Sequence, residues 1–539
     1  MRNLLIVLLS FFSLNGFCET YNVLDYGIVG DNKTVNTKAI QALIDKCSET
    51  KGTIVFPAGD YVTGTIFIKS NVHINLMAGA TLFGSTDLAD YPFIDHKFPT
   101  NVGEYAHHAL VYANSAENFS IFGGGQINGN GKHPKLDVLR ESDKHMLRPY
   151  MIQFVNCKNI RMQGIELFSP SFWLQHYLAC TDVFLDGLYI QSHGAANNDG
   201  LDIDDCKNMV VSNCIFDCED DVLCFKSTTP VGTDNVTITN CVIKTNCNAI
   251  KFGTDSHTAF TNINISNITI NEPAQEGRET FFGTKHGICG IAIEAVDGTL
   301  IDNMNFSNIV INNTDTPFYI KIGDRLRKSY PEQEDKVVRD CKNMTFSNIT
   351  VRGISKYASS IMGIPTYNIE NIFFDNIVYE TQGFTGFNPD NMLNVPENSK
   401  MYPSPEIYGV FPAHTFYVRH ANNVSFKNMK VITNGEDSRH AFVFDDVHGI
   451  RVGDVDFKGD KAITPIRLIN STDAFITGNI VEYAADNLVQ VEGKSTKGIM
   501  VSGNNARNLN GVVKTADEVK GSEIFQFNNW SKDMKQLMK

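Results

Sequence analysis

The sequence predicts an all-β chain, a single-domain parallel β-helix whose short strands wind into stacked coils, with a helix capping the N-terminal end. Three observations lead there. A motif of Asn, apolar residue, any residue, apolar residue recurs along most of the 539 residues. Two acidic clusters lie about one coil apart. One amphipathic stretch stands ahead of the first strand-like runs.

The recurrence begins each time at an asparagine: Asn118, Asn159, Asn208, Asn235, Asn262, Asn303, Asn343, Asn371 and Asn423. Successive anchors are 27 (235 − 208), 27 (262 − 235) and 28 (371 − 343) residues apart. Steps of 41 (303 − 262) and 52 (423 − 371) mark coils that carry long loops. A fixed period of this length points to a repeat architecture, which stays one domain at any length. Strands of three to five residues ended by Asn suit a solenoid, because the side-chain amide satisfies backbone groups at each tight bend. Asn-x-Ser/Thr matches such as Asn267-Ile-Thr are read as bends of this kind. The period is too short for a propeller, and the Leu consensus of leucine-rich repeats is missing. Loops near 87–115, 271–290 and 385–412 are candidate cleft walls.

Ahead of the repeats, Ile40, Leu43, Ile44 and Cys47 recur at helical spacing within 38–47, after Asn36-Thr37. A helix here hides strand edges at the open end of the first coil. The first strands are expected within 52–61, 65–68 and 71–76. The solenoid is assigned to 19–515 and a C-terminal capping tail to 516–539.

Residues 1–18 read as a secretory signal: Met1-Arg2-Asn3, then Leu4 to Leu9 and Phe11-Phe12, then small or polar residues to Gly16-Phe17-Cys18. The apolar core is well below the ~20 residues that span a bilayer, and no later run is long enough. A lipoprotein anchor at Cys18 is the alternative. Phe17 is bulky where such signals want a small residue, which favours a secreted or periplasmic protein.

Sixty acidic residues against 46 basic ones give a net charge of −14, which argues against nucleic acid as a partner. An acidic polysaccharide remains compatible where local Lys and Arg line the cleft. Of twelve cysteines, Cys206, Cys214, Cys218, Cys224, Cys241 and Cys247 lie in or beside strand-like runs and read as stacked buried thiols. No His or Cys spacing resembles a zinc site, and His176, His193 and His286 stand singly. No cofactor is expected.

The acidic clusters carry the chemistry. Asn197-Asn-Asp199-Gly-Leu-Asp202 is followed by Cys218-Glu-Asp220-Asp221-Val-Leu-Cys-Phe-Lys226. Asp199 and Asp220 are 21 residues apart (220 − 199), close to one coil, and coils stack ~4.8 Å apart. Three carboxylates brought that close repel, which raises the pKa of at least one. One then serves as an acid while another stays ionised as a base, the division of labour that glycoside hydrolysis requires. Asn197 and Asp202, beside Asp199, are candidate substrate contacts. Lys226 and Lys251 are 25 residues apart (251 − 226) and are expected to stack beside the carboxylates, binding a uronate and holding the carboxylates ionised. Trp173 is a candidate sugar platform, with core packing the competing role.

These residues resemble glycoside hydrolase family 28, the polygalacturonases and their relatives. The resemblance runs through Tyr21-Asn-Val-Leu-Asp-Tyr-Gly27, Ser169-Pro-Ser-Phe-Trp173-Leu-Gln-His176, Asn197 to Asp202, and Asp220-Asp221. It implies a right-handed β-helix and hydrolysis with inversion of a pectic polysaccharide or oligosaccharide. Asp220 is then the general acid, and Asp199 with Asp221 activate water. Two departures stand out. Asn248 occupies the place of the family's His in Gly-His-Gly, and Ala292-Ile293-Glu294 replaces the Arg-Ile-Lys that grips a substrate carboxylate. Glu294 is expected to repel such a group, which points toward a mixed chain such as rhamnogalacturonan rather than homogalacturonan. A lyase or epimerase on the same scaffold and a non-catalytic carbohydrate-binding adhesin are the other classes compatible with these residues.

Overall fold

A computed structural model describes residues 19–98, 107–137, 147–272, 285–328, 333–354, 356–388 and 395–532. The 1–18 segment with Cys18, and the middles of the three predicted wall loops, lie outside them. The chain is a right-handed parallel β-helix. Every ladder between its strands is parallel, from Thr20–Asn22 against Thr53–Phe56 to Asn505–Ala506 against Trp530–Ser531. No helix among the described residues is long and apolar enough to cross a membrane.

The asparagine anchors behave as their recurrence predicts. Asn118, Asn159, Asn208, Asn235, Asn262, Asn303, Asn343, Asn371 and Asn423 all hold left-handed backbone conformations, with φ between 52° and 59°. Asparagine tolerates that region better than other side chains with a Cβ. The amides also bond from coil to coil: Asn159 to Asn118 at 2.8 Å, Asn235 to Asn208 at 2.8 Å, Asn371 to Asn343 at 2.8 Å and Asn423 to Asn371 at 2.8 Å. The repeat is therefore set at the bends, where one residue type both turns the chain and ties it to the next coil.

Inside the coil, apolar residues stack in register. Phe306, Phe346, Phe374 and Phe426 follow one another with centroid separations of 4.9, 4.5 and 5.2 Å and nearly parallel rings. The strands that carry them pair Phe306 with Phe346, Phe346 with Phe374 and Phe374 with Phe426. This column belongs to one core that runs from Tyr21 to Val519. The cysteines are thiols, and all of the described ones except Cys247 are buried, as expected of stacked core residues.

The predicted helix spans Thr37–Thr50 and buries Ile40, Leu43, Ile44 and Cys47 against the first coil. At the other end the solenoid continues past 515. Ile524–Phe527 pairs with Lys497–Ser502, and Trp530–Ser531 pairs with Asn505–Ala506. An asparagine ladder from Asn479 through Asn504 to Asn529 ties this last coil to the two before it.

One sheet of the solenoid positions the site. Its consecutive strands are Gln175–Leu178, Leu201–Asp204, Leu223–Ser227, Asn248–Ser256, Gly287–Ala295 and Thr314–Ile322. Side chains alternate across a strand, so every second residue points outward and residues one coil apart line up on the same face.

Candidate active site

Register decides which of the predicted residues meet. Leu201 pairs with Leu223, and Gly200 N–H donates to the Asp221 carbonyl at 2.8 Å. Asp199 therefore lies beside Asp221, 22 positions on (221 − 199), rather than in register with Asp220. All three aspartates line one cavity of about 490 Å³. Among its other lining residues are Trp173, Asn197, Lys226, Asn248, Lys251 and Glu294.

The two lysines do not stack on each other. Lys251 pairs with Cys224, two positions before Lys226, because Leu223 registers with Ile250 across a 27-residue coil (250 − 223). Each lysine serves its own carboxylates. Lys251 Nζ is 2.8 Å from Asp221 Oδ2, while Lys226 Nζ is 3.3 Å from Asp202 and 3.8 Å from Asp199. Both are 6% exposed, which rules out a solvated surface ladder.

Asp202, expected as a substrate contact, is fully buried with Lys226 Nζ 3.3 Å from its carboxylate, and it is not among the residues that line the cavity. Burial raises its pKa to about 6, against the pull of Lys226 and His176. Asn197, in a left-handed turn, accepts from Arg148 Nη2 at 3.2 Å. Trp173 is 8% exposed, stacks on Phe172 with centroids 5.5 Å apart, and carries Lys226 Nζ 4.3 Å from its ring centre. It contributes an edge to the cavity rather than an open platform. Of the single histidines, His176 bonds Asp204 at 3.2 Å, His193 bonds Asp217 at 2.9 Å, and His286 faces Asp315 at 3.4 Å.

The carboxyls are driven apart in acidity. Burial raises Asp220, and the adjacent Asp221 charge raises it further. Burial also pushes Asp221 upward, but Lys251 and the Asn248 amide, whose Nδ2 donates at 2.7 Å, outweigh it and hold Asp221 below the usual aspartate range. Asp199 is raised well above that range by burial and by Asp202 and Asp220, with Lys226 opposing. An acid and a base thus stand side by side, which is the arrangement proton-transfer chemistry needs.

Strand register brings Glu294 to the cavity. Lys251-Phe252 registers with Ala292-Ile293, and Glu294 follows at the cavity wall. Its charge differs from expectation. Burial lifts its pKa to about 8, the opposing pull of Lys251 and Arg325 notwithstanding, so at neutral pH it is mostly a neutral carboxyl. The negative charge expected to repel a uronate is therefore largely absent at neutral pH.

Several wall residues escaped sequence reading. Tyr402, Pro403, Ser404 and Glu406 come from the 385–412 loop, and Tyr402 Oη lies 3.3 Å from Lys251 Nζ. Arg327 reaches the cavity from a connection held by Asp297 and Asp255. Cys247 Sγ approaches Asp220 at 3.4 Å and Asp221 at 3.2 Å. Loop length was the one available signal for Tyr402 and Glu406, since no periodicity links residues 151 positions apart. Among the described residues three sets of donor atoms are close enough to share an ion: Asp199 with Asp202 and Cys224, Asp220 with Asp221 and Cys247, and Asp255 with His257 and Asp297. A lysine faces the carboxylates of the first two sets, and Arg327 those of the third.

The chain is 28% identical over 253 residues to an exo-poly-α-D-galacturonosidase of Dickeya chrysanthemi, covering 38% of this chain and 42% of that protein. It is 26% identical over 216 residues to a probable polygalacturonase of Vitis vinifera, covering 38% and 44%. The matched region thus spans less than half the length of these relatives. Among solved structures, a family 28 exopolygalacturonase of Yersinia enterocolitica aligns with a TM-score of 0.54 at 19% identity, over 81% of this chain and 79% of that one. An exopolygalacturonase of Thermotoga maritima aligns with a TM-score of 0.50 at 20% identity, over 67% and 87%. At that identity these two bear on the fold alone. The model of glycosyl hydrolases family 28 matches residues 47–396, well over half of the sequence, and the chain belongs to that family.

Proposed function

We propose that the protein is an exported, inverting hydrolase of a galacturonate-containing pectic polysaccharide, with a preference for a mixed chain such as rhamnogalacturonan. The observation that carries the chemistry is the opposite displacement of Asp220 and Asp221 within one cavity. Asp220 keeps its proton and gives it to the departing glycosidic oxygen. Asp221, ionised by Lys251, takes a proton from the attacking water, with Asp199 sharing in holding that water. Asn248 fixes the Asp221 carboxylate through its 2.7 Å bond.

Substrate preference follows from where the cations are. Lys226, beside Trp173 and Asp199, is placed to meet a uronate carboxylate on one side of the cavity. On the other side Ala292 and Glu294 offer no cation, and a charge-assisted contact to a carboxylate is worth ~1.5–3 kcal/mol. A neutral sugar therefore fits better there. The relatives' names support a pectic substrate. The test compares kcat/KM on homogalacturonan and rhamnogalacturonan, then repeats it with Glu294→Lys. Wild type is expected to favour rhamnogalacturonan, and the variant to shift the ratio at least ~10-fold toward homogalacturonan. Equal or better cleavage of homogalacturonan by the wild type refutes the preference.

A further inference from the structure

Outside the three aspartates, the cavity holds a second pair of carboxyls. Glu294 comes from the strand Gly287–Ala295, and Glu406 from the short helical turn Pro405–Tyr408 of the wall loop. Glu294 is 2% exposed, and Glu406 is half-buried. Among the described residues nothing hydrogen-bonds Glu294 Oε2 or Glu406 Oε2, although both atoms are shielded from solvent. A buried polar atom without a partner costs ~1–3 kcal/mol, so two on one wall call for a ligand that satisfies them.

The neighbours define what that ligand is. The cations that line the cavity lie beside the aspartates and not beside this glutamate pair: Lys226 is near Asp199 and Asp202, Lys251 pairs with Asp221, and Arg327 pairs with Asp255 and Asp297. This wall carries the two glutamates, Ser404, the apolar Ile288 and the Tyr402 hydroxyl, which accepts from Lys251 Nζ at 3.3 Å. That set accepts and donates hydrogen bonds and supplies no spare positive charge. It matches sugar hydroxyls and mismatches a uronate.

We propose that Glu294 and Glu406 form a hydroxyl-reading subsite that selects a neutral sugar next to the scissile bond. The inference rests on the pectic-hydrolase reading above and assigns the pair a role that is separate from proton transfer. Burial, with the nearby Asp221 and Glu406 charges adding to it, keeps the Glu294 proton through neutral pH, so this carboxyl both donates and accepts. A subsite built to bond a hydroxyl discriminates strongly against an analogue that lacks it, because the buried groups are then left unpaired.

The test measures binding, which separates it from turnover. Protein carrying Asp220→Asn is titrated calorimetrically with a rhamnogalacturonan tetrasaccharide, with its analogue deoxygenated on the neutral sugar, and with tetragalacturonate. The background protein is expected to bind the first at least ~10-fold more tightly than the other two. Adding Glu406→Ala or Glu294→Ala is expected to erase most of that difference while leaving affinity for the deoxygenated analogue unchanged, and Glu294→Gln, whose amide both donates and accepts, is expected to retain it. Equal losses for all three ligands, or no loss, overturn the subsite. Failure of the hydrolase reading shows separately, as wild-type protein that binds these ligands with the same ranking and cleaves none of them.

Discussion

Replacing Lys251 by Met keeps the bulk of the side chain and removes its charge from a point 2.8 Å from Asp221 Oδ2. At that distance, with an effective dielectric constant of ~20, the Coulomb attraction is ~6 kcal/mol, which caps the effect. The Asn248 bond to Asp221 Oδ1 at 2.7 Å survives the substitution and limits the rise. Carboxylates beside a single cation are lowered by ~1–3 units, and that is the change expected in reverse. The sign is fixed by chemistry. Asp221 acts ionised, so raising its pKa shrinks the active fraction on the acid side. The acid limb of kcat/KM, which reports the free enzyme, should move up by ~1–3 pH units while the alkaline limb changes little. Lys251→Arg retains the cation and should leave the limb near its wild-type position. The assay is reducing-end release from a pectic oligosaccharide at closely spaced pH values, with near-UV circular dichroism confirming the fold. An acid limb that stays put in Lys251→Met would refute the claim that this lysine holds the base ionised.

Other outcomes follow from the same geometry. Asp220→Asn should lower kcat by ~10²–10⁴ with the fold intact, and retention of more than a tenth of wild-type activity would remove Asp220 from the acid role. Because burial and Asp221 raise Asp220, the alkaline limb should lie above the ordinary aspartate range, and a limb near pH 4 would contradict that. Activity should survive dialysis against EDTA, since Lys226 and Lys251 already neutralise the carboxylates; loss restored by a divalent cation would contradict this. Phe374→Ala, which breaks the ring column between Phe346 and Phe426, should cost ~3–5 kcal/mol in urea unfolding, and a loss under ~1 kcal/mol would mean the core closes over the gap.

Much of this architecture was legible in the sequence because its determinants are local. Each asparagine anchor turns the chain where it stands, so period and fold could be read from Asn208, Asn235 and Asn262 alone. The helix Thr37–Thr50 showed itself through four apolar residues on one face. The aspartates were visible because a coil brings near neighbours in spacing into contact in space. What could not be read was register. A two-residue offset between Lys226 and Lys251, set by the pairing of Leu223 with Ile250, gives the lysines different partners. Burial was equally hidden: Asp199 and Asp202 both lie near Lys226, yet only Asp199 lines the cavity, and burial is what makes Glu294 largely neutral. Tyr402 and Glu406 reach the site through a loop whose course no local pattern encodes.

The most direct test of the account is proton NMR of the first product formed when the wild-type protein digests a rhamnogalacturonan oligosaccharide, read before mutarotation equilibrates the anomers. A water activated by Asp221 and held with the help of Asp199 attacks from the face opposite the leaving group, so the new reducing end should appear first with inverted configuration. First appearance of the retained anomer would contradict the roles given to these aspartates, and an unsaturated product would replace hydrolysis with elimination.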